Sequence, residues 1–196
     1  MEYEKVRPAA LISVVALGFA AQRITQTVLD GFYARSGYPV PYYVGQLSFS
    51  AGKLSGWYAE MRRHGTLGVY WQTQFVDFAF IAATMLFFTA LLVAVARAFP
   101  AGSRGRRIGR RMVWFGVAAP LFDVLENLFS FVMLPDPAAI SPTVALLYST
   151  AAALKFACFV VVYLWTAGGL STAGIQWIRN RRAGRSSAAA AAAGTA

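Results

Sequence analysis

Five ionisable side chains lie inside stretches that are otherwise apolar, and together they could perform acid–base or ion-binding chemistry. They are one guanidinium, one ammonium and three carboxyl groups: Arg23, Lys155, Asp77, Asp123 and Glu126. At the centre of a membrane span such a group costs at least about 2.5–3.5 kcal/mol, so it normally faces a partner or a cavity. The residue types therefore predict a shared polar site within apolar surroundings.

The richest stretch is residues 112–134, where Asp123, Glu126 and Asn127 follow one another at steps of three and one. In a helix these residues share a face with Ala119 and Ser130. Two carboxyl groups on adjacent turns repel when both are ionised, which favours a proton on one of them. A carboxylic acid that keeps its proton suits general acid–base catalysis or proton relay.

From these types we assign candidate roles. Asp123 and Glu126 are the candidate catalytic residues, and the candidate binding residues are Arg23, Asp77, Asn127 and Lys155. The five ionisable groups leave one negative charge in excess. A proton on one carboxyl, a bound cation or the cationic part of a ligand would each remove it.

Composition indicates which kind of secondary structure must position these residues. The 196 residues are 58% apolar and only 13% charged, which is typical of a single membrane domain. Four segments are long and apolar enough to span a bilayer as helices: residues 8–29, 71–96, 112–134 and 143–170. The sequence thus predicts an all-α integral membrane bundle of four transmembrane helices, formed by residues 1–182, with a disordered low-complexity tail over residues 183–196.

The net charge of +10 does not indicate nucleic-acid binding, because the arginines cluster just outside the spans. Arginine-rich segments follow the second and fourth spans, and short loops of this kind stay cytoplasmic. This predicts a multi-pass protein of the plasma (inner) membrane with both termini cytoplasmic. The long connection, residues 30–69, would then lie outside.

Within that connection, Leu47, Ala51, Leu54, Tyr58 and Met61 repeat at helical spacing. The pattern favours a helix lying at the membrane interface on the extracytoplasmic side. The two glycines at positions 52 and 56 weaken that prediction, and an irregular lid packed over the bundle is the alternative.

When the four spans are aligned as antiparallel helices, their polar residues fall at similar depths, in the outer half of the bundle. This agreement predicts that they converge on one pocket. The alternative is that the same groups only hold helices together through buried ion pairs and hydrogen bonds.

At these residues the chain resembles a group of small, uncharacterised bacterial four-span membrane proteins. The resemblance is carried by Gly65, Tyr70 and Asp77, by the D-x-x-E-N triplet from Asp123 to Asn127, and by Lys155. It covers about half the chain and implies no settled activity. A looser similarity in layout is to the emopamil-binding and sigma-2 receptor family, which lines a lipophilic pocket with acidic residues. It is carried by Asp30, Tyr38-Pro39-Val40, Trp57-Tyr58-Ala59 and Asp77.

The leading hypothesis is a pocket that binds a lipophilic lipid, isoprenoid or sterol-like molecule with a polar or cationic group. Whether it also isomerises that molecule is left open. A proton- or cation-coupled small transporter, as a monomer or a homodimer, is the first alternative. The second is an accessory protein whose buried charges are purely structural. Membrane lipids and a lipophilic small molecule are the expected partners, nucleic acid is not, and no motif for a cofactor or a metal is present.

Overall fold

The computed structural model describes residues 6–193, without the side chains of Asn180 and residues 182–193. The described residues form helices and no strands: α1 (Pro8–Ser36), α2 (Tyr42–Gln46), α3 (Ala51–Arg63), α4 (Leu67–Ala98), α5 (Arg104–Met133) and α6 (Pro142–Ala193). Four of them, α1, α4, α5 and α6, are long and apolar enough to cross a membrane. They coincide with the four predicted spans, so the all-α four-helix bundle is confirmed.

The observed helices are longer than the predicted spans. Helix α1 continues to Ser36, where Gly37 ends it in the left-handed conformation with φ 61°. Helix α6 continues to Ala193, through most of the segment for which composition predicts disorder in water. A run of alanines has the highest helix propensity of any sequence. Residues 194–196 lie outside the described residues.

Helix α4 is the central element of the bundle. It packs against α1, α5 and α6, and α5 and α6 also pack against each other. Among the spans, helix α1 packs mainly along α4, and only 6% of the residues in its most apolar stretch are buried, against 44% for α4. Because α1 and α6 both lie beside α4 with few contacts between them, a gap remains between them along the side of the bundle.

Small residues allow the helices to approach closely. A side chain at Gly18 of α1 would lie 3.0 Å from Cα of Phe87 on α4. A side chain at Gly116 of α5 would lie 3.1 Å from the backbone nitrogen of Thr89, also on α4. Small residues at such crossings are typical of membrane bundles, where helix association depends on backbone approach.

Helices α2 and α3, here called the lid, cover one end of the bundle. Ser50 caps α3 by accepting a hydrogen bond from the backbone nitrogen of Lys53. The predicted apolar face is confirmed for Leu54, Tyr58 and Met61, which are fully buried. Leu47 precedes the helix and is exposed, so its inclusion in that face was wrong. The connection between the first two spans is therefore helical, as one prediction had it, and also packs over the bundle as a lid, as the alternative had it.

The lid is attached to the spans by hydrogen bonds as well as by apolar contacts. The Ser55 hydroxyl donates to the Pro137 carbonyl in the α5–α6 turn at 2.6 Å. The backbone nitrogen of Phe49 donates to the Ser149 hydroxyl of α6 at 3.0 Å. The apolar face of α3 packs against residues from three spans, among them Tyr70, Met133 and Tyr148. The lid thus fixes the positions of the helix ends beneath it.

We predict that Gly116→Leu destabilises the bundle by roughly 1–3 kcal/mol, because the new side chain would overlap the α4 backbone. Gly168→Leu on α6 is the matched control, since no atom lies within 4 Å of a side chain there. Both changes improve helix propensity equally. Thermal unfolding in detergent should therefore show a lower melting temperature for Gly116→Leu alone, and equal melting temperatures would contradict the packing.

Candidate functional site

The centre of the site is one ammonium group held by two carboxylates. Lys155 Nζ of α6 donates to Asp123 Oδ1 at 2.9 Å and to Glu126 Oε2 at 2.5 Å, both on α5. The three residues, here called the Lys155 cluster, are 1–4% exposed. The spacing of three places both carboxyl groups on the face of α5 that meets α6. The cluster carries one negative charge in excess when all three groups are ionised.

A second polar pair lies on α4 and α5. The side-chain amide of Asn127 donates to Asp77 Oδ2 at 2.7 Å, and both residues are buried. Asp77 forms no ion pair with a described residue. Its carboxylate is therefore stabilised by a neutral donor, which leaves its charge uncompensated by any direct contact within the described part of the chain.

The Lys155 cluster and the Asp77–Asn127 pair border the same cavity, which has a volume of about 380 Å³ and lies between α1 and α6. Asp77, Asp123 and Lys155 line it, whereas Glu126 and Asn127 lie behind them and do not. The other lining residues are polar on α1 and the lid and mainly aromatic on α4 and α6: Gln22, Arg23, Gln26, Leu29, Tyr33, Tyr42, Gln46, Phe80, Thr84, Phe88, Phe156, Phe159, Val160 and Tyr163.

The cavity reaches the side of the bundle. Val160 and Tyr163, on the α6 wall, are 55% and 60% exposed. This wall faces the gap left by the scarcity of contacts between α1 and α6. A molecule dissolved in a bilayer would reach the polar groups through this gap without crossing the lid.

Arg23 is an exposed residue that lines the cavity from α1. Its side chain forms no ion pair and no hydrogen bond with any described residue. Arg23 therefore lies at the predicted site but makes no ion pair or hydrogen bond with the other predicted residues. The other five predicted residues form two directly bonded groups, the Lys155 cluster and the Asp77–Asn127 pair.

Five tyrosines pack together where the lid meets the spans, namely Tyr33, Tyr38, Tyr58, Tyr70 and Tyr148. Tyr38 stacks on Tyr70 with ring centroids 5.1 Å apart and an interplanar angle of 10°. Burial raises the pKa of Tyr58 to about 12, so its hydroxyl stays protonated at neutral pH. These rings exclude water from the lid side of the ion cluster, which strengthens the electrostatic interactions within it.

Sequence reasoning missed the aromatic wall and the contribution of the lid. Phe156, Phe159 and Tyr163 follow Lys155 at spacings of one, four and eight, and Gln22, Gln26 and Tyr33 repeat along α1 at spacings of four and seven. Both patterns mark one helical face. Gln46 carried no such signal, because its position depends on the fold of the short helix α2.

No protein-family model matches the chain, and neither curated proteins nor solved structures include a significant match. The resemblance to bacterial four-span proteins and the looser similarity to the emopamil-binding family therefore stay hypotheses.

We predict that Lys155→Met destabilises the protein by roughly 3–5 kcal/mol, because it leaves two carboxylates buried without their cation. Adding Glu126→Gln and Asp123→Asn should restore most of the loss, since neither amide carries a charge. Unfolding in detergent measures both effects. A Lys155→Met variant as stable as the unmodified chain would show that the three groups are not ionised together.

Proposed function

We propose that this multi-pass membrane protein binds a lipophilic molecule carrying a polar or cationic group in the cavity between α1 and α6. The observation that carries the proposal is the Asp77 carboxylate, which lines an aromatic cavity and has no cation of its own among the described residues. A buried carboxylate without a counter-ion is costly, and a ligand cation would supply one.

The balance of charges around the cavity supports a cationic ligand beside Asp77. Lys155 cannot neutralise Asp77 as well, because its ammonium already contacts two carboxylates. Asp123 shares Lys155 with Glu126 and also lines the cavity. A ligand cation beside Asp77 and Asp123 would therefore meet a site with a net negative charge, in surroundings where electrostatic attraction is strong.

The remaining walls suit an apolar ligand body. Rings from α4 and α6 surround the polar groups: Phe80, Phe88, Phe156, Phe159 and Tyr163. Aromatic faces bind apolar groups and also attract cations held within about 6 Å of a ring centroid. A cavity of 380 Å³ falls in the usual range for small-molecule sites, about 300–1,000 Å³.

If the bound molecule is also converted, Asp123 is the group that would donate or accept its proton. Of the two carboxyl groups assigned as catalytic from the sequence, Asp123 lines the cavity and Glu126 does not. Glu126 would then act through Lys155, by holding its charge in place. Such a site would suit a double-bond isomerisation, in which a proton is added at one carbon and removed from another.

We further propose that the lid faces the extracytoplasmic side of the plasma (inner) membrane. The N-terminal end of α1 lies beside the end of α4, where Arg97 donates to the Val6 carbonyl at 2.8 Å. The start of α5, with Arg104, Arg106, Arg107, Arg110 and Arg111, follows directly after α4. Arginine-rich ends are retained in the cytoplasm.

We predict that Asp77→Asn abolishes binding of a long-chain alkylamine while the protein stays folded. The amide oxygen still accepts from Asn127, but the charge that attracts the ammonium is gone. Asp136→Asn, in the exposed α5–α6 turn, is the control. Thermal shift with the alkylamine measures binding, and mass spectrometry of molecules retained by the purified protein searches for the natural ligand.

Three results would count against this function. Equal shifts for the unmodified chain and Asp77→Asn would remove Asp77 from the site. If neutral variants of Asp77, Asp123 and Glu126 change only the melting temperature, and the unmodified chain retains no molecule, the buried charges are structural. A flux in proteoliposomes that depends on pH and on these carboxyl groups would instead favour the transporter.

For the orientation, we predict that alkaline phosphatase fused after Ala196 is inactive in bacteria, because the enzyme folds only outside the cytoplasm. The same enzyme inserted in the α5–α6 turn, after Asp136, should be active. The reverse pattern of activities would place the lid inside the cell.

A further inference from the structure

A ligand that carries only a cation would leave Arg23, which lines the cavity, without a partner. Arg23 lies near the middle of α1, a helix long and apolar enough to span the membrane. Its side chain contacts no acid and no hydrogen-bond acceptor among the described residues. An unpaired guanidinium at such a depth is rare, and those that occur face a partner or a cavity.

The packing of α1 on α4 gives the depth of Arg23 relative to the carboxylates. Gly18 lies against Phe87 in this antiparallel pair, so five residues further along α1 Arg23 is level with about residue 82 of α4. Asp77 lies five residues beyond that level, which corresponds to about 7 Å along the axis. The cavity thus has a positive group on α1 and negative groups on α4 and α5, with Arg23 and Asp77 at neighbouring depths.

We propose that the ligand is a zwitterionic lipid whose headgroup joins an ammonium to a phosphate, with the ammonium at Asp77 and Asp123 and the phosphate at Arg23. This inference rests on the proposed function and adds the anionic half of the ligand. The guanidinium offers paired donors that match phosphate oxygens. Gln22 and Gln26 line the same wall, and the Gln26 amide nitrogen already donates to Asp30 Oδ1 at 2.7 Å.

The route of entry favours a lipid over a soluble phosphorylated amine. The gap between α1 and α6 opens on the side of the bundle that faces the bilayer. The exposed residues of its α6 wall, Val160 and Tyr163, are apolar or aromatic. A headgroup that enters sideways would leave its acyl chain against these residues, within the hydrocarbon.

The test compares four probes on the purified full chain by calorimetry in a non-ionic detergent. They are lysophosphatidylethanolamine, an alkylamine and lysophosphatidic acid of matched chain length, and free phosphoethanolamine. The zwitterionic lipid should bind at least roughly tenfold more tightly than the other three, as expected for one added charge-assisted contact. Phosphoethanolamine binding as tightly as the lipid would overturn the lipid assignment.

Arg23→Gln should reduce the affinity for the zwitterionic lipid to that for the alkylamine and leave the alkylamine affinity unchanged. Arg35→Gln is the matched control on the same helix, since Arg35 lies outside the cavity, over the ring of Phe32. If the alkylamine binds in a way that needs Asp77 but Arg23→Gln changes nothing, this inference fails and the proposed function stands. If no probe binds, both fail.

Discussion

The interaction on which the rest of the structure depends is the contact of the Lys155 ammonium with two carboxylates of α5. Without Lys155, Asp123 and Glu126 would be two buried like charges at a spacing that brings them together. Without them, Lys155 would be a cation within an apolar helix. Each group is tolerated because the others are present, so the contact favours the observed register of α5 and α6. The tyrosines beneath the lid keep this contact dry.

The same contact explains where the cavity lies. Lys155 joins α6 to α5, and the hydrogen bond between Asn127 and Asp77 joins α5 to α4. Among the spans, α1 packs closely on α4 but has few contacts with α5 and α6. Direct contacts thus hold together the polar groups of α4, α5 and α6, whereas α1 is held mainly by α4. The cavity is the space between this polar layer and the side of α1 that does not pack on α4.

The parts of the fold that follow from length and periodicity were predictable. The four spans and the buried face of α3 at Leu54, Tyr58 and Met61 were read from the sequence because burial imposes helical spacing on apolar residues. The convergence of Asp77, Asp123 and Lys155 followed from depth, since antiparallel helices share one thickness of membrane. Depth does not give the rotation of each helix about its axis, nor which residues become neighbours. Arg23 lines the cavity but contacts none of the other predicted residues, and Glu126 contacts Lys155 but does not line the cavity.

Stability alone does not account for the choice of residues. At position 77 an asparagine would accept the same hydrogen bond from Asn127 without the cost of burying a charge. A single carboxylate would neutralise Lys155, yet two are present. Both departures add negative charge beside the cavity, and the unpaired Arg23 adds positive charge on the opposite wall. Unpaired charges are costly within a membrane bundle. Their placement around one cavity therefore supports the proposed binding site, in which a bound molecule would supply the missing partners.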